Sequence, residues 1–436
     1  MNRNSLRLVA VGVFLALCQT ATQAAELVAG AARIDITPPI GFPMWGYGDR
    51  HDAKCEGVLD PLQARALVLE IGGQRIALVS LDLGRAPTRA TTAAIRKRVQ
   101  AQGINEVFLV GSHTHHGPVL EMSGWPNAKM PYELELENKL VQVIWEAKKA
   151  GRPARLGCGF TVTELNRNRH SKRPDKPVDR ELLVMRVDDL QGKPIATAVN
   201  FAAHATMTPS RVHKFSADWP GAMAALVEKE TGAPCLFLQG AAGDMSANAG
   251  TLNGPKAFGE AVGQTALGVA RKVKFQGTDL EGMNVEREEF VFKNRVDLGN
   301  PLVKRAFVSA FFKDIVDFYE EEYRQGVRPS LSVALLGGRI GIVGVSGEFF
   351  SDHAIQLKRR AHLEHLFFLG YCNDYHQYFP TIEAAAEGGY GADPGVSTAE
   401  VGAGERMMNR ALIRLYKMRG KYPDIQAKAE AEPAKK

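Results

Sequence analysis

The chain is poor in the residues that would staple or anchor it. It has 5 cysteines in 436 residues, and no two of them stand as CxxC. That excludes a disulfide-dense scaffold and a thiolate zinc site. Long hydrophobic runs are missing beyond the first two dozen residues, and mean hydropathy is −0.17. A polytopic membrane protein is therefore excluded. Neither sign of charge dominates: 54 Lys and Arg stand against 48 Asp and Glu, for a net +6 spread along the chain. That is too mild and too dispersed for nucleic acid. It is compatible with a peripheral contact at an anionic membrane surface. No low-complexity tract and no internal repeat appears. What remains is ordinary globular composition, 45% hydrophobic and 23% charged.

The start reads differently. Arg3 and Arg7 form a positive segment, Leu8 to Cys18 is an apolar run too short to span a bilayer comfortably, and Thr22-Gln23-Ala24 suits cleavage. Residues 1–24 are expected to be a secretory signal peptide, which sends the protein to the periplasm or out of the cell. The alternative is an uncleaved anchor. Leu17 stands where lipidation at Cys18 would want a small residue. Export leaves Cys55, Cys158, Cys235 and Cys372, for which an oxidising compartment permits disulfides in any of three full pairings. Residues 25–426 read as one domain and 427–436 as a frayed charged tail.

Apolar runs bounded by turn residues alternate with amphipathic stretches. Strands are expected at 64–71 and 76–81 around Gly72-Gly73, then at 107–110, 182–187, 195–201, 235–238, 331–336, 340–345 and 366–370. Helices are expected at 87–102, 132–149, 219–231, 257–272, 301–323, 349–361 and 401–419. The alternation predicts an α/β fold: a single large domain with mixed β-sheets flanked by helices.

Histidine is scarce, with 11 in the chain, yet three lie within four positions in Gly111-Ser112-His113-Thr114-His115-His116-Gly117. The loop follows the apolar run Val107–Val110. A His-x-His spacing in extended backbone puts both imidazoles on one side, and imidazole is a common zinc ligand. Other chemically capable residues also follow apolar strands: Asp82, His204, Asp244 with Ser246, Glu348, and Tyr375 with Tyr378. Sites in α/β sheets gather beyond the carboxyl ends of strands. Each piece has a plainer reading. His204 among alanines suits a core histidine, Gly243-Asp244 is a common turn, and Glu348 suits a helix start.

Taken together these segments resemble the N-terminal catalytic domain of the neutral/alkaline ceramidase family. The likeness runs from Ala29–Pro38 through His113-Thr114-His115, Asn166-Arg167, Phe201–His204, Gly243-Asp244-Met245-Ser246 and Gly347-Glu348-Phe349. It ends in the tyrosine-rich stretch 373–390. The family hydrolyses the amide bond of ceramide to a sphingoid base and a fatty acid with one zinc ion.

Position by position, the resemblance implies His113, His204, Glu348 and Tyr378 as zinc ligands. Tyr378 is preferred to Tyr375 because its spacing to Tyr390 resembles the family's pair. The resemblance places His115, Tyr390, Arg167 and Ser246 at the substrate. Zinc lowers the pKa of bound water to about 7. His115 and Tyr390 could then donate hydrogen bonds where negative charge develops, and His115 could carry a proton to the leaving amine.

The chain departs from the pattern in three ways. It has no C-terminal β-sandwich domain, His116 replaces a small residue, and Gly-Asp-Met-Ser-Ala-Asn replaces Gly-Asp-Val-Ser-Pro-Asn. The leading expectation is a zinc amidohydrolase acting on an N-acyl lipid. The alternatives are a zinc hydrolase of another amide or an ester, and a non-catalytic exported lipid-binding protein.

Overall fold

The computed structural model describes residues 26–121, 131–275, 280 and 282–422. The expected signal peptide and charged tail lie outside them. In chain order the first elements are β1 (Val28–Asp35), β2 (Gly57–Val58), β3 (Gln63–Ile71), β4 (Gln74–Leu81), α1 (Arg89–Gln100), β5 (Glu106–Gly111) and α2 (Pro131–Lys149). Then come β6 (Arg152–Val162), β7 (Asn166–Asn168), β8 (Glu181–Asp189), β9 (Pro194–Phe201), β10 (Lys214–Phe215), α3 (Asp218–Thr231), β11 (Cys235–Gln239), β12 (Met245–Ala247) and α4 (Gly254–Ala270). The last third holds β13 (Met283–Glu289), α5 (Pro301–Ala310), α6 (Lys313–Glu322), β14 (Ser330–Leu336), β15 (Ile340–Val345), β16 (Glu348–Phe349), α7 (Ser351–Ala361) and β17 (His365–Leu369). It closes with β18 (Tyr378–Phe379), α8 (Ile382–Glu387) and α9 (Ala403–Met418).

The pairing reveals a repeat that the residues do not. In β1–β3–β4–β5 two antiparallel pairings are followed, across α1, by a parallel one. The same order recurs in β6–β8–β9–β11 across α3. It recurs again in β13–β14–β15–β17 across α7. The expectation of no internal repeat is thus corrected at the level of topology. The first two units join edge to edge through β1 and β6 into an eight-stranded sheet.

Side chains from all three units meet in one core, among them Leu67, Phe108, Met185, Leu238, Ile342 and Phe367. On the outer faces α1 and α2 cover the first unit and α3 and α4 the second. Helices α7 and α9, with α6, cover the third. Strands covered on both faces need apolar residues at every position, so they read as unbroken hydrophobic runs. The α/β class, the single domain and the mixed sheets flanked by helices all stand.

Two expected elements differ. The stretch 301–323 is not one helix. Phe311 is extended (φ −123°, ψ 177°), which ends α5 and lets α6 begin at Lys313. The helix expected from Phe349 begins at Ser351 instead, because Glu348 and Phe349 pair with Tyr378 and Phe379. All four cysteines of the described residues are buried and unpaired. Among the described residues no helix is long and apolar enough to cross a membrane.

One buried acid predicts how stability depends on pH. Glu133, in the first turn of α2, is wholly buried, and neither carboxyl oxygen has a hydrogen-bond partner among the described residues. Burial pushes its pKa from the usual 4.5 up to about 8. Between those values the unfolded chain binds fewer protons than the folded one, so stability present at low pH is lost as pH rises. Glu133→Gln should be more stable than the parent at pH 8, by ~1–3 kcal/mol. It should also flatten the fall in stability between pH 5 and 8 in denaturant titrations. An unchanged slope would contradict this reading.

Candidate metal centre and its cleft

Each of the three repeated units sends one side chain capable of binding a metal to the same point. His113 lies two residues past β5, His204 three past β9, and Glu348 three past β15. Buried amides lock these strand ends together. Asn200 donates to the carbonyls of Leu238 (2.7 Å) and Phe368 (2.9 Å). Gln239 donates to those of Ser112 (3.0 Å) and Ala203 (2.8 Å). Asn373 accepts from Leu109 N at 2.9 Å and donates to the Val107 carbonyl at 2.7 Å. The backbone is strained where it turns into the site. His113 has φ +64°, and Tyr371, Asn373 and Gln377 have φ between +55° and +61°. Non-glycine residues hold such angles, at about 1–3 kcal/mol each, only where their surroundings over-determine them.

The side chains converge closely. One ligand atom each from His113, His115 and His204 lies within 4.8 Å of the others, and all three residues are buried. Glu348 Oε2 stands 3.3 Å from His113 Nε2 and 3.1 Å from His204 Nε2. It also accepts from the Tyr371 hydroxyl at 3.2 Å, and Oε1 accepts from the Tyr375 hydroxyl.

The outer nitrogens distinguish the histidines. His113 Nδ1 meets the Gly84 carbonyl at 2.9 Å, and His204 Nδ1 meets the Met245 carbonyl at 3.0 Å. A carbonyl accepts only from N–H, so both rings carry a proton on Nδ1 and turn Nε2 toward Glu348. Metal-ligating histidines are ordinarily oriented this way. His115 Nδ1 is buried without a partner among the described residues, and its Nε2 lies 3.3 Å from that of His113. Burial, then Arg169 and His113, push His204 down to about 3. Burial, then His113 and His204, push His115 well below the usual imidazole range. Both rings are neutral near pH 7. Burial raises the Glu348 carboxyl, but its imidazole neighbours override this and hold it ionised. Two imidazoles oriented by their Nδ1 partners beside a carboxylate suit zinc's preference for nitrogen and oxygen.

Tyr378 reaches the cluster through Arg169, whose guanidinium donates to the Tyr378 hydroxyl at 3.1 Å and to His204 Nε2 at 2.8 Å. Burial and Glu348 raise the Tyr378 phenol, keeping it protonated. Tyr375, the alternative, is hydrogen-bonded to Glu348 instead. Tyr390 is 67% exposed, and its ring lies edge-on to Tyr378 at 5.6 Å. Ser246 pairs its backbone with that of His204, while its hydroxyl is buried without a partner among the described residues.

Arg167 is not in the site: its side chain is exposed on β7. Arg169 takes the position expected of it, since only the chain beyond β7 turns toward His204. Asp82 does not join the site either. It is buried against Arg65 at 3.0 Å. Asp244 is structural, accepting from Ser351 N at the start of α7 and from Asn168 at 2.7 Å.

Sequence reasoning missed the aromatic wall. The Trp45 ring lies edge-on to His113 at 5.0 Å and to His115 at 5.4 Å, and the Tyr47 ring is 4.7 Å from that of His115. Two glycines make room. A Cβ on Gly84 would sit 2.1 Å from the Trp45 ring, and one on Gly46 (φ +110°) 2.5 Å from His115. Arg50 clasps the loop, donating to the Ser210 carbonyl at 2.8 Å and contacting His116 Nε2 at 2.5 Å. His116 is thus committed to Arg50. The cluster opens into a cleft whose apolar lining includes Leu298, Phe307, Phe311, Phe312 and Val316.

No family model matches the chain. Among curated proteins, it is 30% identical over 173 residues to neutral ceramidase B of Dictyostelium discoideum, a stretch covering 33% of this chain and 24% of that protein. It is 28% identical over 253 residues to the neutral ceramidase of Pseudomonas aeruginosa, covering 50% and 37% respectively. The chain therefore aligns with well under half the length of either relative. The crystal structure of the Pseudomonas aeruginosa enzyme superposes on 92% of this chain and 75% of its own, with TM-score 0.74 and 19% identity. A ceramidase complexed with C2 gives 0.73 over 92% and 76%, also at 19% identity. The chain thus shares the fold of these neutral ceramidases and resembles them over part of its sequence.

Proposed function

We propose that the chain is a zinc-dependent amidohydrolase that cleaves the N-acyl bond of ceramide-like lipids to a sphingoid base and a fatty acid. The observation that carries this reading is the meeting of His113, His204 and Glu348 at one end of an apolar cleft. The likeness to neutral ceramidases supports the substrate class. His113, His204, Glu348 and Tyr378 would hold the ion. Zinc held there supplies Lewis-acid polarisation and lowers the pKa of water to about 7.

The chain's own residues do the rest. The apolar wall takes the lipid chain and excludes water. Neutral His115 accepts a proton at Nε2 from the attacking water and returns it to the leaving amine. Tyr390, at the rim, and Arg169 offer donors to the oxygen on which charge develops. Ser246 lines the site beside His204. The N-terminal segment suits export.

Two measurements test this. Fluorescent ceramide should be turned over, and an ester of the same acyl chain should be a poorer substrate. Turnover of the ester or of another amide alone would instead favour the broader hydrolase reading, and no turnover of any would contradict hydrolysis. His115→Ala should keep its metal and lose about 10²–10³ in kcat. Loss of metal in that variant would make His115 a ligand and overturn the division of roles.

A further inference from the structure

A buried arginine behind the metal-binding cluster has no part in the chemistry described so far. Arg85 lies just past β4 and is wholly buried. Arginine is almost never fully buried unless it is paired, and Arg85 is paired twice. Its Nη2 donates to Asp374 Oδ1 at 2.6 Å, and its Nη1 stands 3.3 Å from Glu121 Oε1. Its Nε donates to the Ala86 carbonyl at 2.8 Å. Charges buried together are rarely better for stability than apolar residues of the same volume. What the two carboxylates hold next shows what the group does.

Glu121 Oε1 also accepts from Trp45 Nε1 at 2.8 Å, and the Trp45 ring is the one set edge-on to His113 and His115. Asp374 Oδ1 also accepts from Tyr375 N at 2.8 Å. The Tyr375 hydroxyl donates to Glu348, and the Arg85 guanidinium lies over the Tyr375 ring at 5.4 Å. The carbonyl that orients His113 belongs to Gly84, the residue before Arg85. One guanidinium thus stands behind His113, His115 and Glu348 together. Its planar fork can serve two carboxylates at once, which the single ammonium of a lysine cannot do in the same geometry.

We infer that Arg85 is a positioning residue for the metal centre: it fixes Tyr375 against Glu348 and Trp45 against His113 and His115, and so sets how tightly the cluster holds zinc. The inference rests on the zinc reading above, and its test separates the two.

Zinc affinity, read by competition with a chromophoric chelator, needs no turnover. Arg85→Lys keeps the charge and loses the fork. It should weaken zinc about 10–100-fold, the usual cost of losing a partner behind a ligand. Tyr375→Phe should weaken zinc over the same range. Both act on Glu348 along one path, so the loss in the double variant should fall well short of the product of the single losses. An arginine that serves stability alone would leave zinc affinity within about twofold of the parent, or would combine with Tyr375→Phe multiplicatively. Either result overturns the inference. Circular dichroism reports folding. If Arg85→Lys does not fold, Asp374→Asn decides, since it keeps an oxygen for Arg85 and Tyr375 N but drops the charge. Zinc weakened about tenfold supports the inference, and unchanged affinity rejects it. If the parent binds no zinc, the zinc reading fails by itself. A crystal structure of Arg85→Lys, or of Asp374→Asn in its place, then judges the positioning alone: displacement of Trp45 from His113 and of Tyr375 from Glu348 supports it, and unmoved rings reject it.

Discussion

His204→Ala should lose its zinc and its activity together, with turnover falling on the order of 10³-fold or more because the water is no longer acidified. The expectation is structural rather than statistical. His204 is wholly buried, its Nδ1 is committed to the Met245 carbonyl, and its Nε2 faces Glu348 at 3.1 Å. A ring held on both sides has no freedom to be replaced by a neighbour. His113, fixed in the same way by Gly84, should behave alike. The backbone around His204 is tied by β9 and β11, so the variant should fold. Its metal content by elemental analysis and its circular dichroism are read together. A folded His204→Ala protein that kept stoichiometric zinc would show that the ligands lie elsewhere.

Arg169→Ala should lower kcat/KM by about 10²–10³, with metal content unchanged, while Arg167→Ala should stay within about twofold. The two arginines are two residues apart, and by sequence either could face the substrate. The structure separates them. Arg167 points to solvent from β7, whereas Arg169 lies within hydrogen-bond distance of His204, Tyr378 and the Gly243 carbonyl at 2.8–3.1 Å. Burial lowers the Arg169 guanidinium, but Tyr378 and Glu348 override it and keep it charged. That cation stands beside His204 and Tyr378. When a metal takes the lone pair of His204, Arg169 retains Gly243 and Tyr378 as partners. Steady-state kinetics of both variants decide the matter. Comparable losses in both would return Arg167 to the site.

Much of the fold was legible because strands covered on both faces leave unbroken apolar runs, as in Val107–Val110 and Leu331–Leu336. Strands that escaped notice break that rule for physical reasons. In β6, Gly157 is required, since a Cβ there would sit 2.4 Å from Val273. At the sheet edge β13 carries Glu286, Arg287, Glu288 and Glu289, the charged pattern of a protected edge. The threefold repeat left no trace because pairing order needs only apolar strands, whatever their identity.

In the site, the meeting of His113, His204 and Glu348 was legible because chemically capable side chains follow strand ends. Trp45 and Tyr47 were not, since they come from an irregular loop that only the glycines at 46 and 84 admit. Arg169 was hidden because nothing in Asn166-Arg167-Asn168-Arg169 says where the strand stops. The break at Phe311 was hidden because helical periodicity continues across it, although the break is what turns Phe311 and Phe312 into the cleft.

The most direct test of the central claim is hydrolysis of fluorescent ceramide by protein of known metal content, before chelation, after chelation and after zinc is restored. The account predicts about one zinc per chain. It also predicts turnover that disappears with the metal and returns with it. Turnover unaffected by complete removal of metal would contradict the role given to His113, His204 and Glu348.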